Sequence, residues 1–143
     1  MIKQLFTYIF LIFFTTSVVA EEILMDCKTS KYRYIKQDSE TTILYTHKKR
    51  DKGKWAGWCP SEVTEDNKAW FVSAKDRDLL ITDRKGICMV SEGKFKTTSG
   101  EIGIVRSNTS VVDFVKKTYT TEFFWMDEKK KTKNKQKCKI VKK

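Results

Sequence analysis

Proline and histidine occur once each, as Pro60 and His47, and glycine six times. CxxC and HExxH are absent, and no glycine-rich phosphate loop follows a strand. A single imidazole far from every cysteine argues against zinc, so no metal and no cofactor is expected. Lys48, Lys49 and Arg50 crowd His47 and depress its pKa, and no nucleophile stands near it. Apolar residues nowhere hold an i, i+3, i+4, i+7 pattern over three turns, which argues against a substantial helix. Arginine is scarce too, with 24 lysines making up most of the 29 basic residues. Bidentate recognition of phosphate or carboxylate favours arginine, so a lysine excess by itself names no partner.

The one long apolar run is N-terminal. Met1-Ile2-Lys3 is followed by Leu5–Phe14, apolar apart from Thr7, and then by TTSVVA with small residues at its last and third-from-last positions. This reads as a signal peptide, residues 1–20, cleaved after Ala20. Its core of about ten residues is short against the roughly twenty that span a bilayer. No transmembrane segment is expected after cleavage, and the product is secreted, or periplasmic in a Gram-negative cell. Residues 21–143 suit one domain.

Loss of Lys3 brings the formal charge from +11 to +10, which attracts anionic surfaces. Cys27, Cys59, Cys88 and Cys138 all lie in the exported part. An even count behind a signal peptide reads as two disulfides, and the spacing leaves three pairings open.

Short β-branched and aromatic segments with turn residues between them fill the rest. Leu79–Val90 (LLITDRKGICMV) reads as a hairpin at the middle of a sheet, with Gly86 supplying the positive φ of its turn. KYRYIK and TTILYT form another hairpin, and Trp55–Cys59 a strand stopped by Pro60. Ser61–Lys68 reads as an acidic loop or a single helical turn, Ala69–Ser73 as a strand, Lys75–Asp78 as a turn and Ser91–Gly100 as a loop with room for a short strand around Phe95. Ile102–Ser107 reads as a strand ending at Asn108, which places the sequon Asn108-Thr109-Ser110 in a turn where a glycan acceptor would sit. VVDFV and TYTTEFFWM pair across Lys116-Lys117, with Tyr119, Thr121, Phe123 and Trp125 on one face. Asp127–Asn134 is a charged turn before a last strand with Lys135, Lys137 and Lys139 outward. The expected fold is all-β, a small antiparallel barrel or two-layer sandwich of about nine short strands in meander order with two disulfides.

Nine of the fifteen residues from Lys129 to Lys143 are lysine. Lys129, Lys130, Lys131, Lys133, Lys135, Lys137 and Lys139 form the candidate site for an anionic partner. Such lysines also keep an edge strand from pairing with another sheet. Of the tryptophans, Trp55 beside the charged tip is the candidate exposed aromatic, and the others suit the core. The leading expectation is a non-enzymatic binding module, monomeric or weakly associating, whose cationic face meets an envelope glycan, a lipid head group or an acidic protein. Nucleic acid is possible but not favoured. The alternatives are an inhibitor of a secreted hydrolase, presenting His47–Lys54 or Ser61–Lys68, and a small enzyme. The latter would use Asp113 and Glu122, since glycoside hydrolysis needs two carboxylates flanking a cleft.

Overall fold

The structure, a computed structural model, describes residues 20–60, 68, 71–97, 99–126 and 131–142. The expected signal peptide through residue 19, the acidic loop at 61–67, Trp70, Lys129 and Lys130 lie outside the described residues. Ten strands form two five-stranded antiparallel sheets, and no helix occurs among the described residues. The first sheet contains β1 (Glu21–Asp26), β2 (Ser30–Gln37), β3 (Glu40–His47) and β4 (Ala56–Gly57). The second contains β5 (Phe71–Thr82), β6 (Lys85–Lys96), β7 (Ile102–Asp113), β8 (Thr118–Trp125) and β9 (Lys131–Lys137). After Cys138 the chain returns as β10 (Lys139–Lys142) to pair with β1. The orders are β10-β1-β2-β3-β4 and β5-β6-β7-β8-β9, a meander split into two layers. The expected all-β meander holds, as a sandwich rather than a closed barrel.

Local chemistry sets the turns. Asp38 and Arg84 take positive φ (54° and 56°) in the tight turns of β2–β3 and β5–β6, and Lys117 (57°) closes β7–β8. Asp113 caps that last turn, accepting from the backbone N–H groups of Val115 at 3.0 Å and Lys116 at 2.8 Å. Gly86 does not supply the positive φ expected of it; Arg84 does. Gly86 is buried in β6 for a different reason: a Cβ there would lie 2.5 Å from Ile43 Cδ1 and 2.8 Å from Trp58 Cζ3. The missing side chain lets the indole lie on the strand.

Several expected loops are strand. Lys75-Asp76-Arg77-Asp78 lies within the twelve residues of β5, with Asp76 and Asp78 outward and Arg77 inward. Strict alternation of charge suits a pleated edge as well as a turn does. β6 runs on through Ser91–Lys96, interrupted at Glu92 (φ 47°), and β7 passes through the sequon. Asn108 is buried, donating to the Glu122 carbonyl at 3.4 Å and accepting from Ser110 Oγ at 3.2 Å. A turn position for the sequon is therefore overturned. The Leu79–Val90 hairpin also moves from the middle of the sheet to its edge, because β7 is the central strand.

The core between the layers is built from Met25, Tyr32, Tyr34, Ile43 and Trp58 on one side and Val90, Val112, Phe114 and Tyr119 on the other. Cys59–Cys88 ties the end of β4 to β6, and Cys27–Cys138 ties the β1–β2 turn to the β9–β10 junction. Each bridge therefore joins the two sheets at one of the seams where the meander is broken.

Candidate functional site

Sheet β5–β9 is longer than its partner, and beyond the shared core its inner face is strongly mixed in chemistry. Register places Arg77, Val90, Asn108, Phe123 and Thr132 in one row across it, with Ser110, Thr121 and Asn134 in the row before. Opposite them stand Ser30, Tyr45, His47 and Arg50 of the first sheet and its tip. Between the layers lies a cleft of about 420 Å³, within the range of small-molecule sites. Aromatic walls are formed by Tyr45, Trp58, Phe95, Phe123 and Trp125. Phe123 and Trp125 stack at 5.4 Å, and Gly103 gives Trp125 its seat because a Cβ there would collide with the indole.

Arg77 is the charged group set deepest in this wall. Its guanidinium carbon lies 4.3 Å from the Phe71 ring centroid and 5.9 Å from that of Phe95. The two rings attract the cation but accept no strong hydrogen bond. Burial pulls its pKa down to about 10, and Nε is buried without a hydrogen-bond partner. No described carboxylate lies within ion-pair distance of it, although such pairs form elsewhere among the described residues, as between Arg84 and Glu21 and between Lys48 and Asp26. A cation withdrawn from water without a counter-ion is unfavourable; an acidic group entering the cleft would correct it. Arg50, at the β3–β4 tip, lines the same space.

His47 shapes that tip. Its Nδ1 accepts from the backbone N–H of Arg50 at 3.1 Å and Lys49 at 3.3 Å, while Asp51 Oδ2 accepts from His47 N at 2.7 Å. Burial, then the Arg50 charge, lowers its pKa. An imidazole that accepts at Nδ1 in this way is a turn cap.

The lysines behave differently from the cleft. Lys131, Lys133, Lys135 and Lys137 form a row on the outer face of β9, alternating with Thr132, Asn134 and Gln136 inside. Glu122 of β8 sits beside two of them, 3.1 Å from Lys131 and 3.6 Å from Lys133, and the Lys131 hydrogen bond leads in lowering its pKa. Lys139 belongs to β10 in the other sheet. Trp55 is half-buried rather than free, with the Arg33 guanidinium 4.5 Å from its ring centroid. Asp113 and Glu122 do not converge: Glu122 pairs with Thr109, four residues along β7 from Asp113, roughly 13 Å at strand rise. Among the described residues no cluster of three His, Cys, Asp or Glu could hold a metal ion, and no helix is long and apolar enough to cross a membrane.

The sequence pattern pointed to Asn108 only as a glycan acceptor and to Arg77 not at all. The signal was present for Arg77, which shares strand parity with Leu79 and Ile81 once KDRD is read as strand. No family model matches the chain, and no curated protein or solved structure matches it.

Proposed function

We propose that this is an exported, non-enzymatic binding protein whose cleft takes an anionic ligand with an apolar body, the acidic group resting on Arg77. The observation that carries this reading is the half-buried guanidinium, its Nε enclosed without a hydrogen-bond partner and with no described counter-ion, set in an aromatic wall. Aromatic rings supply area for the ligand's apolar part, and Asn108, Ser110 and Thr121 supply polar contacts that orient it. The two disulfides suit an oxidising compartment. The expected preference for an anionic partner is kept, and its seat moves from the lysine-rich end to the space between the sheets.

Anilinonaphthalene sulfonate, an anionic aromatic probe, tests the reading, with decanoate and decanol as competitors. Saturable one-site binding displaced by decanoate and not by decanol is expected. Arg77→Met should weaken it at least about tenfold, since hydrogen bonds to a charged group contribute roughly 1.5–3 kcal/mol. The same substitution removes a half-buried charge with no described counter-ion, so the urea midpoint should change little. Absence of saturable binding, or equal binding by Arg77→Met, overturns the reading.

A second reading rests on the lysine row. Four ammonium groups on one face of β9 recur at about 7 Å, every second residue of a strand, a spacing suited to a polyanion. Binding of a sulfated glycan that weakens steeply with salt and survives Arg77→Met would favour it.

A further inference from the structure

The outer face of sheet β5–β9 carries three unbroken rows whose chemistry changes in order from one edge to the other. Asp76, Ser91, Ser107, Phe124 and Lys131 make the first; Asp78, Met89, Thr109, Glu122 and Lys133 the second; Leu80, Ile87, Val111, Thr120 and Lys135 the third. The β5 edge is acidic, the β9 edge basic, and the middle partly apolar. One carboxylate, Glu122 of β8, is shared between Lys131 and Lys133, so the β9 edge keeps a net positive charge. Leu80 is 51% exposed and Met89 45%. Neighbouring apolar groups left open on one sheet face mark a contact surface.

The geometry points to a second copy of this chain as the partner, packed outer face to outer face about a two-fold axis parallel to the strands through β7. An isologous contact requires a self-complementary surface, and this gradient meets that demand in one orientation. A two-fold along the strands exchanges the two edges, setting Asp78 of one copy over Lys133 of the other and Asp76 over Lys131. It also sets Val111 against Val111 and Leu80 against the Lys135 stem. A two-fold running across the strands would stack aspartate on aspartate and lysine on lysine, which like-charge repulsion disfavours. Aligned sheets pack at about 30°, and over three rows that rotation keeps the facing pairs within reach. The cleft opens on the other face of the sheet, so this contact does not rest on the ligand reading.

Because net charge repels the two copies whatever their arrangement, salt dependence alone is a poor test and an edge exchange a good one. One variant carries Asp76→Lys and Asp78→Lys, the other Lys131→Glu and Lys133→Glu; Arg77 is untouched in both. Sedimentation equilibrium of the exported chain should show a dimer. Each variant alone should associate at least about tenfold more weakly, from like charges now facing each other. Their equimolar mixture should recover the dimer, because both edge contacts then join opposite charges. Near-UV circular dichroism checks that each variant folds, and Val111→Glu, which opposes a carboxylate to its own copy on the axis, should dissociate the dimer independently. A monomeric wild type, variants that dimerise as well as the wild type, or a mixture that stays monomeric each overturns the inference.

Discussion

Tyr32 of β2 stacks on Tyr119 of β8 across the two sheets, with ring centroids 5.0 Å apart and planes 30° from parallel. Tyr45 lies 5.8 Å from Tyr32 on the same side. The layers are therefore joined at the floor of the cleft by phenols that are apolar in body and polar at the tip, a chemistry that suits a core wall continuing into a binding site.

Alkaline pH should unfold the protein through these rings. Burial raises the pKa of Tyr32, Tyr45 and Tyr119 above the ordinary value of 10.0. Between pH 10 and the raised native values the unfolded chain has lost protons that the native chain retains, so stability falls as pH rises there. Below pH 10 their contribution is complete. Each such group can remove about 1.4 kcal/mol per pH unit within that window. The urea midpoint should be insensitive to these tyrosines up to about pH 9 and drop steeply above pH 10. A tyrosinate absorbance that develops fully while native circular dichroism persists would contradict this.

Gly86→Ala should destabilise by about 1–3 kcal/mol, the usual cost of overpacking, because the methyl meets Ile43 and the Trp58 ring. Gly57→Ala is the control: nothing lies within 4 Å of a Cβ there, and a small gain from the unfolded state is expected. Denaturant midpoints read both, and equal effects would show that Trp58 is not seated on Gly86.

The two bridges should differ in weight. Cys27–Cys138 closes a 111-residue separation and Cys59–Cys88 one of 29. Chain entropy assigns them about 4.8 and about 3.6 kcal/mol, so replacing the first pair by alanine should cost more. Unfolding free energies of the two double variants decide it, and the reverse order would show that native-state packing around the Cys59 seam dominates.

His47 should titrate below 6.5, in the direction set by its burial and by Arg50. A lowered native value favours the neutral ring, so its contribution is present above pH 6.5 and is lost as pH falls below it. Protonation at Nδ1 would also release the Lys49 and Arg50 amides, loosening the tip that carries Arg50 beside the cleft. With one histidine in the chain, its Hε1 proton resonance gives the midpoint directly; a value at or above 6.5 contradicts the capped geometry.

Much of the architecture was legible because side-chain alternation states it. Tyr119, Thr121, Phe123 and Trp125 do share the inner face of β8, and the chain does run as a meander of antiparallel neighbours. Strand length was not legible. Charged and glycine-containing stretches such as KDRD and SEGKFK look like loops by composition, yet pair in register because their outward positions are solvated. Cysteine pairing depends on which ends of the two layers meet, and local pattern does not contain that. Arg77 was hidden for a related reason: an inward cation contradicts burial preferences, and only the aromatic cleft around it makes the position sensible.

The most direct measurement is backbone and side-chain ¹⁵N–¹H chemical-shift mapping of the labelled protein titrated with decanoate below its micelle concentration. Shifts centred on the Arg77 Nε–H, the Asn108 amide and the Trp125 indole N–H, saturating together and absent with decanol, are the expected result. Shifts confined to Lys131–Lys137 on the outer face, or none at saturating decanoate, would contradict the assignment of the cleft as the binding site.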